Sequence, residues 1–122
     1  MSEQVIVLVV DDNPTMTTTM ADILMLKGYQ VYSAFSGTQA LDILHDQPVD
    51  ILLTDVRMPD MNGVELYRKA RLLHPDLITF LMTAYAADDI IENGVQEGIK
   101  TILTKPLDID FLLVMFSAAL GG

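Results

Sequence analysis

The 122-residue chain contains no cysteine. This excludes disulfides, thiolate catalysis and cysteine-ligated zinc; it fits a reducing compartment, and a cytoplasmic location is expected. Basic residues are scarce: seven Lys and Arg stand against 17 Asp and Glu, for a net charge of −10. Such a balance repels nucleic-acid backbone and anionic lipid, so direct nucleic-acid binding and membrane attachment are not expected. Long apolar runs are missing as well. The longest early one, Val5 to Val10, is too short to cross a bilayer or to serve as the core of a signal peptide. No internal repeat or low-complexity tract interrupts the chain. A glycine-rich phosphate cradle is also lacking, because the first apolar block is followed by "DDNPT", acids where a nucleotide-binding or flavodoxin-like cofactor role needs glycines.

What is present argues for one folded unit. The content is 51% hydrophobic and 20% charged, which suits a compact domain and opposes disorder. Residues 1–122 are expected to form one domain, and the close at Gly121-Gly122 fits a boundary where such a domain was cut from a longer chain.

Apolar, β-branched blocks alternate with segments of helical period. Strands are predicted at Val5–Val10, Gln30–Ala34, Asp50–Thr54, Ile78–Met82 and Lys100–Thr104. Helices lie between them and after the last. Their starts carry capping residues: Asn13 before Pro14, Ser36 with Gln39 three on, Asn62 with Glu65 three on, and Asp108. Gly28 and Gly98 fit helix ends, and His74-Pro75 closes the third helix, because the residue before proline is pushed out of the α region. Five alternating pairs imply an α/β fold: a flavodoxin-like (βα)5, doubly wound parallel sheet in the order 2-1-3-4-5 with helices on both faces. The connection then reverses between strands one and three, and a crevice opens at their carboxyl ends.

Reactive side chains cluster at those ends. Strand one runs into Asp11-Asp12, strand three into Asp55, strand four into Thr83 and strand five into Lys105-Pro106. Two carboxylates ~4 Å apart repel by about 4 kcal/mol at an effective dielectric of about 20, so three on one rim imply a neutralising cation. All-oxygen ligands select a hard ion, Mg²⁺ or Mn²⁺, with room left for a phosphate oxygen. Lys105 adds a positive charge and Thr83 a hydroxyl, the parts needed to hold a phosphoryl group in transfer. Asp55 then reads as a nucleophile that carries phosphorus as an acyl phosphate.

The segments "VLVVDDNP", "DILLTDVRMPDMNG", "LMTAYA" and "TKP", in this order and spacing, resemble the receiver domain of two-component response regulators. The resemblance implies that Asp55 is the phosphoacceptor, supplied by a histidine kinase or a histidine phosphotransfer protein. It implies Mg²⁺ on Asp11, Asp12, Asp55 and the backbone carbonyl of Arg57, with Thr83 and Lys105 holding the phosphoryl group and a cis Lys105–Pro106 peptide. Arg57 and Tyr85 would stand where the family tunes dephosphorylation. One departure is Ile102, at a position where the family usually carries an aromatic residue that rotates inward.

Plainer readings apply elsewhere. His45 and His74 read as surface residues, and the eight methionines as core filler. The run Thr17-Thr18-Thr19 reads as a solvated helix face, ahead of a kinase-docking face. In the last helix, Ile109, Leu112, Leu113, Phe116, Ala119 and Leu120 form the face for the sheet to bury. Phe111, Val114, Met115 and Ala118 form a second apolar face, expected to pack on another copy of the chain or on a neighbouring domain.

Two other functional classes fit these residues less well than the signalling switch. A phosphate-independent interaction module of the same fold conflicts with the retained Asp11, Asp12, Asp55, Thr83 and Lys105. A haloacid-dehalogenase-type phosphatase needs D-x-D, and position 57 is arginine, so its general acid is missing. Enzymatic turnover is therefore not expected beyond self-phosphorylation and autodephosphorylation at Asp55.

Overall fold

Among the described residues five strands, β1 (Ile6–Val10), β2 (Gln30–Ala34), β3 (Ile51–Asp55), β4 (Ile78–Thr83) and β5 (Thr101–Thr104), alternate with five helices. The helices are α1 (Pro14–Leu26), α2 (Gly37–Asp46), α3 (Gly63–Leu73), α4 (Asp89–Gln96) and α5 (Ile109–Ala119). The structure is a computed structural model and describes residues 4–84, 89–99 and 101–121. All four strand pairings are parallel, in the order β2-β1-β3-β4-β5. The predicted topology is therefore the one observed. Among the described residues, no helix is long and apolar enough to cross a membrane.

The helix starts follow their side chains. Asn13, Ser36, Asn62 and Asp108 each accept a backbone N–H from three residues on, at 3.2, 3.1, 2.8 and 3.2 Å. At Asn62 the box is reciprocal, with the Glu65 carboxylate accepting the Asn62 N–H at 3.1 Å. Gln39 instead reaches one residue further back, to the Phe35 N–H at 2.9 Å. Gly28 and Gly98 end α1 and α4 with φ of 98° and 113°, the left-handed region that side chains avoid.

Alternation along the strands divides the core. Val7, Val9, Ile51, Leu53, Phe80 and Met82 face α1 and α5, packing with Met20, Leu24, Leu112 and Phe116. On the opposite face Leu8, Val10 and Leu52 pack with Ala40 and Leu44 of α2 and Leu66 and Ala70 of α3. Val56, Val64, Leu81, Ile91 and Ile99 fill the space under α3 and α4. Strands buried on both faces read as continuous apolar runs, which is why β1 and β3 are so uniformly aliphatic.

Several residues differ from their sequence reading. His74 is half-buried, with Nε2 2.6 Å from the Leu44 carbonyl: closing α3 at the preceding residue turns its ring onto the end of α2. Met20 and Met82 are buried and Met58, Met61 and Met115 pack against the core, but Met16 and Met25 are 40% and 49% exposed. Met115 therefore does not belong to the outer face of α5. It lies 60° around the helix from Leu112 on a 100° spacing, and its long side chain reaches the core from that flank. Phe111 and Val114 remain outward, 53% and 63% exposed, with Ala118 also exposed. Ala119 and Leu120 are exposed too: helical geometry ends at Ala119, which lines a surface cavity with Ile78, Thr79 and Thr101.

Phe116 anchors α5, its ring centroid 5.1 Å from Phe80 and 5.6 Å, edge-on, from Tyr29. Phe116→Ala is expected to lower unfolding free energy by about 3–5 kcal/mol in urea denaturation. Ser117→Ala, on the exposed side, should stay within about 0.5 kcal/mol of wild type.

Candidate functional site

The strand register sets the site. Val10 pairs with Thr54, Asp55 with Met82, and Thr83 with Thr104. Backbone pairing also runs one residue past the strands: Asp11 donates its N–H to Ala34 O at 3.2 Å and Lys105 to Thr83 O at 2.7 Å. Asp11, Asp55, Thr83 and Lys105 thus come off adjacent strands at one level, at the carboxyl rim where open α/β sheets bind ligands.

Oxygens of Asp11, Asp12 and Asp55 lie within 4.8 Å of one another. Lys105 Nζ stands between two of these acids, 2.9 Å from Asp11 Oδ2 and 3.2 Å from Asp55 Oδ2. Each of these two carboxylates uses its other oxygen on the backbone. Asp11 Oδ1 accepts the Asn13 N–H at 3.0 Å, and Asp55 Oδ1 accepts the Val56 N–H at 2.8 Å. Asp11 and Thr83 are each 3% exposed. Asp12 is exposed.

Burial pushes the Asp55 carboxyl above its ordinary range, with the Asp11 charge adding to the rise, against the pull of Lys105 and the Val56 N–H. For Lys105, burial favours the neutral amine, but the hydrogen bond to Asp11 and the charges of Asp55 and Asp11 outweigh it and raise the pKa. With all three carboxylates ionised, the one ammonium leaves this cluster a net charge of −2. An all-oxygen set carrying that charge fits a hard divalent cation.

The neighbouring turns are tightly built. Gly63 donates its N–H to Val56 O at 2.8 Å, and a Cβ on Gly63 would collide with the Asp55 carbonyl oxygen. Arg57 lies exposed just beyond. The Lys105–Pro106 peptide is cis, as the resemblance implied. Ile102 is half-buried opposite Leu81 and packs on the cluster that holds Val56 and Ile91. Tyr85 falls outside the described residues.

Thr17 departs from the solvated reading of its run, which the exposed Thr18 and Thr19 keep. It is fully buried, with its hydroxyl 2.9 Å from both Asp11 O and Asn13 O, so it buttresses the turn that delivers Asp11. The available signal was its place four residues after the cap Asn13, where a threonine hydroxyl can return to the i−4 carbonyl.

The family model for the response regulator receiver domain matches residues 7–117. Sporulation initiation phosphotransferase F of Bacillus subtilis is 33% identical over 104 residues, 85% of this chain and 84% of that protein. The transcriptional regulatory protein ZraR of Klebsiella oxytoca is 36% identical over 98% of this chain, which spans only 27% of that protein's length. A CheY-like receiver domain from Methanospirillum hungatei superposes with a TM-score of 0.92 at 27% identity, covering 98% of this chain and 95% of that one. A response regulator from Burkholderia pseudomallei, solved with a phosphorylated aspartic acid, calcium and citrate, superposes at 0.83 with 26% identity, covering 90% of this chain and 65% of that one. On its rim chemistry, its strand order and these likenesses, the chain belongs to the receiver domains of response regulators, a signalling family and not one of conventional enzymes.

Proposed function

We propose that this receiver domain is a phosphorylation-dependent switch in which Asp55 accepts a phosphoryl group from a histidine kinase or a histidine phosphotransfer protein. The observation that carries the proposal is the Lys105 ammonium set between Asp11 Oδ2 and Asp55 Oδ2. A carboxylate oxygen of Asp55 attacks phosphorus, the new P–O bond forms as the donor's P–N bond breaks, and the electron pair leaves with the donor imidazole. Lys105 follows the charge onto the phosphoryl oxygens, and Thr83, at the end of the neighbouring strand, supplies a hydroxyl to them. Asp11, Asp12, Asp55 and the Arg57 carbonyl would hold Mg²⁺ or Mn²⁺, which when bound supplies the positive charge that offsets the rim. The backbone bonds to Asp11 Oδ1 and Asp55 Oδ1 keep both carboxylates aimed while this happens. We assign Arg57 and Tyr85 to setting the phosphoryl lifetime. With isoleucine at 102, no aromatic rotation at that position reports the change. The exposed Phe111, Val114 and Ala118 of α5 offer a surface for a second copy of the chain or an adjoining domain. A cytoplasmic location accompanies this reading. A phosphate-independent module is disfavoured, because nothing in such a role requires three acids and a lysine to stay clustered.

Incubation with Mg²⁺ and acetyl phosphate is expected to add one phosphoryl group to wild type and none to Asp55→Asn, read by intact mass; equal gain by both would remove Asp55 from the role. The raised Asp55 carboxyl gives a second expectation. Its protonated form is the one the fold favours, a contribution complete below the unfolded pKa and lost as pH rises through the folded one. Without divalent cation, Asp55→Asn should therefore melt above wild type at pH 7, with the gap closing below about pH 4. For the α5 surface, light scattering at high concentration should show dimers in wild type and monomers in Val114→Lys; a clean wild-type monomer would leave the adjoining domain as occupant.

A further inference from the structure

The loop of residues 56–62 carries the Arg57 carbonyl and the turn into α3. Its ends are fixed by the Val56–Gly63 backbone bond and by the Asn62 cap. Between them, Asp60 reaches across to a different element. Its Oδ1 accepts the Gly37 N–H at 3.1 Å, and its Oδ2 accepts both the Thr38 N–H at 2.8 Å and the Thr38 hydroxyl at 2.7 Å. The Thr38 hydroxyl, followed by these N–H groups, holds the Asp60 carboxyl down to about 2, so the tie stays ionised through the working pH range.

Alpha-helix capping alone does not account for this tie. Ser36 already caps α2 from the helix's own lead-in segment, taking the Gln39 N–H. Asp60 comes from 22 and 23 residues away and takes the two N–H groups before it. The same contact is closed beneath by Met61, whose side chain occupies the space a Cβ on Gly37 would need. Met58 and Met61 then pack on the cluster built from Ala40 and Leu44 of α2. The loop is thus pinned to α2 by charge at Asp60 and by packing on either side of it.

We propose that Asp60 is a positioning residue for the metal site: by clasping Gly37 and Thr38 it fixes the loop that presents the Arg57 carbonyl. The inference rests on the metal-assisted reading of Asp55 given above. A carboxylate beside two helix N–H groups is a strong, directional tether, and outer partners of this kind set how well a ligand is pre-aimed.

Mg²⁺ binding measured by isothermal titration, well below the melting temperature, tests it. Asp60→Ala, shown folded by circular dichroism, should raise the Mg²⁺ Kd about tenfold, and Thr38→Val should raise it less, with Thr38→Ser restoring the wild-type value. Asp42→Asn, which removes an equal charge from an exposed position on α2, should leave the Kd within about twofold, separating positioning from bulk electrostatics. A folded Asp60→Ala that binds Mg²⁺ as tightly as wild type overturns the inference while leaving the metal reading intact. Wild type that binds no Mg²⁺ overturns the metal reading, and the inference with it. Should Asp60→Ala fail to fold, Thr38→Val decides: an unchanged Kd overturns the clasp.

Discussion

One lysine between two carboxylates is the interaction on which the rest of the rim depends. Two such acids at ~4 Å repel by about 4 kcal/mol at a dielectric of about 20, and here a third lies within reach. Lys105 offsets part of that repulsion at 2.9 and 3.2 Å, but the balance still leaves Asp55 with a raised pKa, because its burial works in the same direction as the Asp11 charge. The cluster is therefore held under electrostatic tension that a dication or a phosphoryl group would redistribute.

The rest of the fold supplies the restraint that such tension requires. Strand order places β1 beside β3, so acids 43 and 44 residues apart in sequence become neighbours, and pairing past the end of β5 sets Lys105 level with Thr83. Both faces of the sheet are closed by aliphatic packing in which Val7, Leu8, Val10, Ile51, Leu52 and Leu53 have no measurable exposure. Close-packed interiors yield little to local repulsion, so the acids stay where the register puts them.

Fold and rim were legible in the sequence because both follow from local pattern plus one topological rule. Aliphatic runs ending in Asp11, Asp55 and Thr83 mark the strands and their exits together, and four of the helix caps lie in sequence where they act in space. What escaped depends on packing that forms only once the elements are brought together. The burial of Thr17 follows from how α1 leans on the β1 turn, and Met115 turns inward because a flexible side chain crosses the border that helical spacing draws. Asp60, in the middle of a turn, looks like an ordinary solvated acid until α2 is brought against it. His74 likewise reads as exposed until the end of α2 presents a carbonyl to it.

Within the rim the two principal acids divide their oxygens in the same way. Oδ1 of Asp11 and of Asp55 takes a backbone N–H one or two residues on, while Oδ2 of each faces Lys105. A carboxylate anchored through one oxygen has lost the torsional freedom it would otherwise forfeit on meeting a cation or phosphorus, so less ordering remains to oppose either event. Because the anchors are backbone groups fixed by strand and helix geometry, the orientation of both acids does not rest on Lys105 alone. In the proposed phosphoryl transfer the lysine would then follow the charge from a carboxylate to the arriving group without disturbing that geometry.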